Sequence, residues 1–146
     1  MWRLRRMRRM AWTARLDALE ALLFLAAARF ALRLMPFERL RWFFERAPRN
    51  EIHGAAREQF RTRVQWAIGE ASLYLPMETV CFPRAIAAQA MLRRRHIHTT
   101  LYYGAATLPT RELKAHVWLQ DGSIGVVGHE TAEQYHILAR YPHAND

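Results

Sequence analysis

Apolar residues recur every three to four positions as far as Arg95, then at every second position along the strand-like stretches after it. A period near 3.6 demands helices and a period of two demands strands, so the chain changes once from one kind of element to the other. Leu19, Leu22, Leu23, Ala26, Phe30 and Leu34 have helical spacing and predict an amphipathic helix over 15–34, with Arg15, Arg29 and Arg33 on its wetter side. Pro36 stops it. A short helix over 36–46 carries Phe37, Leu40, Trp42, Phe43 and Phe44, and a loop over 47–53 holds Pro48 and Asn50. A third helix over 54–74 uses Phe60, Val64, Ala67, Ile68 and Ala71 and ends before Pro76. The fourth runs from Thr79 to Arg95: Thr79 can cap it, and Pro83 is tolerated in a first turn that does not need its N–H.

Beyond residue 98 the chemistry is that of strands. Thr99 to Gly104 is rich in β-formers, Leu113 to Gln120 alternates, and Ile124 to Val127 follows the hairpin signal Asp121-Gly122. A two-residue turn at that dipeptide pairs Gln120 with Ser123, Trp118 with Gly125 and His116 with Val127. The stretch from Thr131 to Tyr141 fits either a short helix or an irregular segment. The expectation is an α+β fold, with N-terminal helices packed on a small antiparallel sheet of three or so strands, in one domain over 1–146.

The formal charge of +9 is carried almost wholly by arginine, Lys114 being the only lysine. Such a balance attracts anions, but five of the arginines lie together within the first nine residues and no nucleic-acid-binding signature accompanies them. Nucleic acid is therefore not the expected partner. The apolar run from Ala21 to Ala28 is far shorter than the roughly 20 residues of a spanning helix. Asp17 and Glu20 before it, Arg29 and Arg33 after it, and the lack of a cleavage site argue against a signal peptide, an anchor or a transit peptide. A cytoplasmic location, with peripheral membrane contact as an accompaniment, is the expectation. One cysteine excludes an internal disulfide and a multi-thiolate zinc site. His96 and His98 lie close in sequence but have no acidic or thiol partners nearby, so no metal or other cofactor is expected.

The single thiol, Cys81, stands at the opening of the fourth helix. Unpaired N–H groups and the positive end of the dipole there stabilise a thiolate and can receive a developing oxyanion, with Arg84 one turn in adding positive potential. The alternative is a buried cysteine acting as a small hydrophobe. His116 shares a strand face with Trp118 and Gln120, opposite Ala115, Val117 and Leu119. An imidazole on a strand beside a helix N-terminus is what a Cys–His pair needs, with a third group fixing its tautomer. Glu130, just past the next strand, is the first candidate for that group; Asp121 in the turn and His129 are the others.

These residues carry a resemblance. Cys81-Phe82-Pro83-Arg84-Ala85 leading to Met91-Leu92-Arg93-Arg94-Arg95, the strand ending at Gly104, Ala115-His116-Val117-Trp118-Leu119-Gln120 and the opening Leu34-Met35-Pro36-Phe37 resemble the B proteins of lasso-peptide biosynthesis. The resemblance implies a transglutaminase-like, papain-related core over 76–146 behind a helical N-terminal region over 1–50. It also implies a Cys–His–acid triad in which Cys81 is nucleophile and His116 base. Where that family carries an Asn-Asp type element, this chain has Gly128-His129-Glu130, and Gln120 stands where an acidic residue is usual. The implied activity is removal of the leader from a ribosomally made precursor peptide. The implied partners are that precursor, a separate small leader-recognition protein, since the residues before Cys81 read as helices, and a lasso cyclase.

Two other readings fit parts of the sequence. The same Cys–His machinery can pass an acyl group to an amine in place of water. A non-enzymatic basic amphipathic protein, lying on membranes or binding nucleic acid, accounts for the arginines and the first helix but not for the Cys and His motifs.

Overall fold

The computed structural model describes residues 11–46, 48–75 and 81–142. Four helices come first: α1 (Trp12–Leu34), α2 (Phe37–Glu45), α3 (Gly54–Ser72) and α4 (Cys81–Arg94). Four strands follow, β1 (Thr100–Thr107), β2 (Leu113–Asp121), β3 (Ile124–Val127) and β4 (His136–Tyr141), with a 3₁₀ turn over His129–Gln134 between the last two. The strands form one antiparallel sheet in the order β3-β2-β1-β4. The α+β expectation holds, with one strand more than the sequence suggested. The stretch from Thr131 to Tyr141 divides into the end of the 3₁₀ turn and the edge strand β4, whose Ile137 and Leu138 are exposed. An edge strand with both faces partly wet has no clean alternation to read.

α4 is the centre of the molecule. Ala85, Ala87, Ala88, Met91 and Leu92 have no solvent exposure, and the helix lies between α1 and α3 on one side and β2 on the other. Leu25 from α1, Val64 and Ile68 from α3, and Leu101, Val117 and Leu119 from the sheet complete the core. Each fully buried Leu or Ile contributes roughly 1.5–3 kcal/mol of transfer free energy. The helix ends at His96, whose left-handed conformation (φ 57°) lets the Ile97 N–H return to the Leu92 carbonyl at 3.0 Å. The expected cap Thr79 lies outside the described residues.

α1 turns a different face to the core from the one its large residues suggest. Ala18, Ala21, Leu25 and Ala28 are buried, whereas Leu23, Phe30 and Leu34 are 71%, 65% and 65% exposed. Small side chains let helix backbones approach closely, so the alanine face wins the contact with α3 and α4. Buried Asp17 fixes the rotation of α1 through two hydrogen bonds from Arg63 on α3, at 2.8 and 2.9 Å. Glu20 does the same towards Arg95 at the end of α4, at 2.6 and 3.0 Å.

The β2–β3 hairpin also differs from expectation. Asp121 pairs with Ile124, so the loop is Gly122-Ser123, and Gly122 takes the positive φ (60°) it needs. Gln120 then pairs with Gly125 and Leu119 with Val127, leaving Val126 as an extra residue. This bulge replaces the expected pairings of Trp118 with Gly125 and His116 with Val127. At the end of β2, Arg57 and Arg61 of α3 hold the Asp121 carboxylate.

Candidate active site

Cys81 is the first described residue of α4 and is half-buried. His116 lies in the first half of β2, also half-buried. Both line one cleft of about 670 Å³, between the N-terminal end of α4, the later turns of α1 and the 3₁₀ turn. Leu32, Phe37, Phe82 and Pro83 form its apolar wall, and Arg29, Arg33 and Lys114 are its cations. No hydrogen bond joins the Cys81 sulfur to the imidazole. Hydrogen bonds between a thiol and an imidazole are often long or unformed in the absence of substrate.

The His116 ring is fixed from several directions. It stacks on Trp118 at 5.9 Å between centroids with 22° between planes, and Tyr135 packs on it at 4.8 Å. Trp118 in turn stacks on Tyr102 at 5.5 Å and 8°, and its ring lies over Gly104, where any Cβ would come within 2.9 Å of it. His116 Nε2 is 2.6 Å from the Gly128 carbonyl oxygen and 3.4 Å from Thr131 Oγ1. A carbonyl can only accept, so Nε2 carries the proton and donates it. In the neutral ring the lone pair is then on Nδ1, which has no hydrogen-bond partner among the described residues.

Gly128 holds this arrangement by backbone conformation. Its φ is +74°, and an added Cβ would sit 2.9 Å from the Val117 carbonyl oxygen and 3.4 Å from His116 Nε2. The bulge in β3 and the left-handed turn together bring that carbonyl under the ring. A peptide dipole therefore occupies the position where the sequence reading placed an acid.

No hydrogen bond joins the His116 ring to any of the three candidate groups, Glu130, Asp121 and His129. Glu130 is exposed in the 3₁₀ turn and makes no hydrogen bond to the ring. Asp121 is engaged elsewhere: it accepts from Arg57 Nη2 at 2.6 Å, Arg57 Nε at 3.0 Å and Arg61 Nη1 at 3.0 Å. Burial alone would raise its pKa, but the hydrogen bonds and charge of the two guanidiniums outweigh burial and hold the carboxyl below its usual value. The same hydrogen bonds raise Arg57, against the effect of its burial. His129 lays its ring over Gly125, where a Cβ would fall 2.0 Å from it, and its buried Nδ1 has no partner among the described residues. Arg84, expected to add potential beside the thiol, is not in the cleft lining, and its buried Nε is also without a partner among the described residues. Sequence reasoning missed Gly128 and Thr131, because a carbonyl acceptor leaves no side-chain signal beyond a glycine after a strand.

A family model described as the transglutaminase-like superfamily matches residues 21–140. The chain belongs to that superfamily. No curated protein and no solved structure matches it significantly. The match begins at Ala21, within α1, and ends at Arg140, one residue before the end of β4. Transglutaminase-like proteins generally include cysteine peptidase-like enzymes, whose chemistry uses a thiol and an imidazole; Cys81 and His116 are among the residues that line the cleft here. Among the described residues of this transglutaminase-like chain, no helix is long and apolar enough to cross a membrane, and no group of three or more His, Cys, Asp or Glu could hold a metal ion.

Proposed function

We propose that the protein is a cysteine peptidase that removes the leader from a ribosomally synthesised lasso precursor peptide, with Cys81 as nucleophile and His116 as base. One observation carries the reading: Cys81 at the start of α4 and His116 on β2 line the same cleft. The lasso assignment rests on the motif strings around Cys81 and His116. Thiolate Cys81 attacks the scissile carbonyl carbon while N–H groups of the first turn of α4 receive the oxyanion. The C–N bond breaks, imidazolium His116 protonates the departing amine, and a thioester remains. Water, deprotonated by His116, then attacks the thioester, releasing the leader as a carboxylic acid and restoring the thiol. In this scheme the Gly128 carbonyl orients His116. A separate leader-recognition protein delivers the precursor, and a partner cyclase uses the freed amino group.

The test is cleavage of the cognate precursor by purified protein, followed by mass spectrometry. Cys81→Ala must abolish cleavage and leave the circular dichroism unchanged; a variant that still trims the peptide excludes Cys81 as nucleophile. Added amine distinguishes hydrolysis from acyl transfer by product mass.

A second reading concerns where the protein works. Trp12, Leu16, Leu19, Leu23, Phe30 and Leu34 form an exposed apolar stripe along α1 in a strongly basic chain, which suits peripheral attachment to an anionic bilayer. Flotation with phosphatidylglycerol vesicles tests it: Leu23→Gln with Phe30→Gln must release the protein, and co-flotation of that variant excludes the stripe.

A further inference from the structure

Some of the described arginines are paired within the chain and others are not. Arg57, Arg61, Arg63 and Arg95 each hold a carboxylate of the chain itself. Arg29 and Arg33 hold none among the described residues, and neither does Lys114. These three line the cleft that contains Cys81 and His116, and among the described residues no Asp or Glu lines it with them. They approach from two elements. Arg29 and Arg33 are four residues apart on one face of α1, and Lys114 precedes His116 by two residues on the same face of β2. Like charges at that helical spacing repel, so the pair costs stability unless an anion lies between or beside them.

We infer that Arg29, Arg33 and Lys114 form an anion-binding subsite that takes a carboxylate side chain, Asp or Glu, of the substrate peptide close to the scissile bond. This rests on the peptidase reading and adds a specificity to it. The cleft is concave and its apolar wall suits the stem of an acidic side chain, while the cations supply charge-assisted hydrogen bonds. A lipid phosphate is the other anion of this chemistry. The exposed apolar stripe of α1 lies about a quarter turn from Arg29 and Arg33 around the helix, so a flat bilayer against the stripe does not present headgroups to the cleft.

The experiment uses Cys81→Ala protein, so that it reads binding without turnover. Two hexapeptides with a neutral fluorophore, acetyl-Gly-Ala-Glu-Glu-Ala-Gly and its Gln-Gln counterpart, are compared by anisotropy at low salt. The acidic peptide binds about tenfold tighter, and the difference disappears in Arg29→Gln/Arg33→Gln/Lys114→Gln and at about 0.5 M salt. Arg33→Gln and Lys114→Gln alone, both at exposed positions, each lower it part-way and cover a triple variant that does not fold. Equal binding of the two peptides overturns the inference, as does a preference that survives these substitutions. So does loss of phosphatidylglycerol-vesicle binding in the variants with the peptide preference intact, because the cations would then serve a lipid. A wild-type protein that cleaves no precursor would sink the peptidase reading without altering this preference.

Discussion

The Nε2 atom of His116 lies 2.6 Å from the carbonyl oxygen of Gly128, a residue held at φ +74° beyond a bulged strand. That contact fixes which ring nitrogen carries the proton, a task that catalytic triads commonly give to a carboxylate. A carbonyl dipole does it with no formal charge, so the tautomer is set by backbone geometry.

Gly128→Ala tests this directly. The left-handed conformation costs a residue with a Cβ about 1–2 kcal/mol, and the new methyl meets the Val117 carbonyl, so thermal stability falls modestly. The carbonyl shifts away from the ring, and kcat/KM for precursor cleavage falls roughly 100-fold. Steady-state kinetics beside a thermal melt separates the two effects; full activity in a folded variant removes the carbonyl from the mechanism.

Glu130→Gln gives the converse result. The side chain is exposed and is not bonded to His116, so kcat/KM stays within about twofold of the parent. A carboxylate that fixes the tautomer is worth about 10⁴ in kcat. A loss of that size would make Glu130 the third member of the triad.

Asp121→Asn acts on stability. It leaves two partly buried guanidiniums of α3 without their anion and costs about 2–3 kcal/mol in urea unfolding. The folded pKa of Asp121 lies below its unfolded value, so the contribution is present above about pH 4 and is lost as pH falls through the lowered folded value. The gap between parent and variant therefore narrows on acidification below about pH 4. A gap that widens there would show that Asp121 does not gain its stability from ionisation.

Much was legible before the fold. The switch of period placed helices before strands, Pro36 separated α1 from α2, and Ile124 to Val127 was bounded correctly because local rules decide such features. Cys81 at a helix start and His116 on a strand face are likewise local facts, and their residue types and motif strings drew attention to them. The face of α1 was misread because the helix is apolar nearly all round, and size was taken for burial. Only packing against α3 and α4 reveals that alanines and the Asp17–Arg63 pair set its rotation.

What the amino-acid order determined by itself was the sequence of elements, since propensity, period and residue chemistry act over a few positions. What the tertiary structure decided was which groups meet. Arg57 and Arg61, some sixty residues away, hold Asp121 at the end of β2, and the Gly128 carbonyl beyond the bulged strand meets His116. Arg29, Arg33 and Lys114 line one cleft with Cys81 only because the fold brings α1, α4 and β2 together there. Contacts between distant segments depend on how whole surfaces fit, and no short stretch of sequence contains that information.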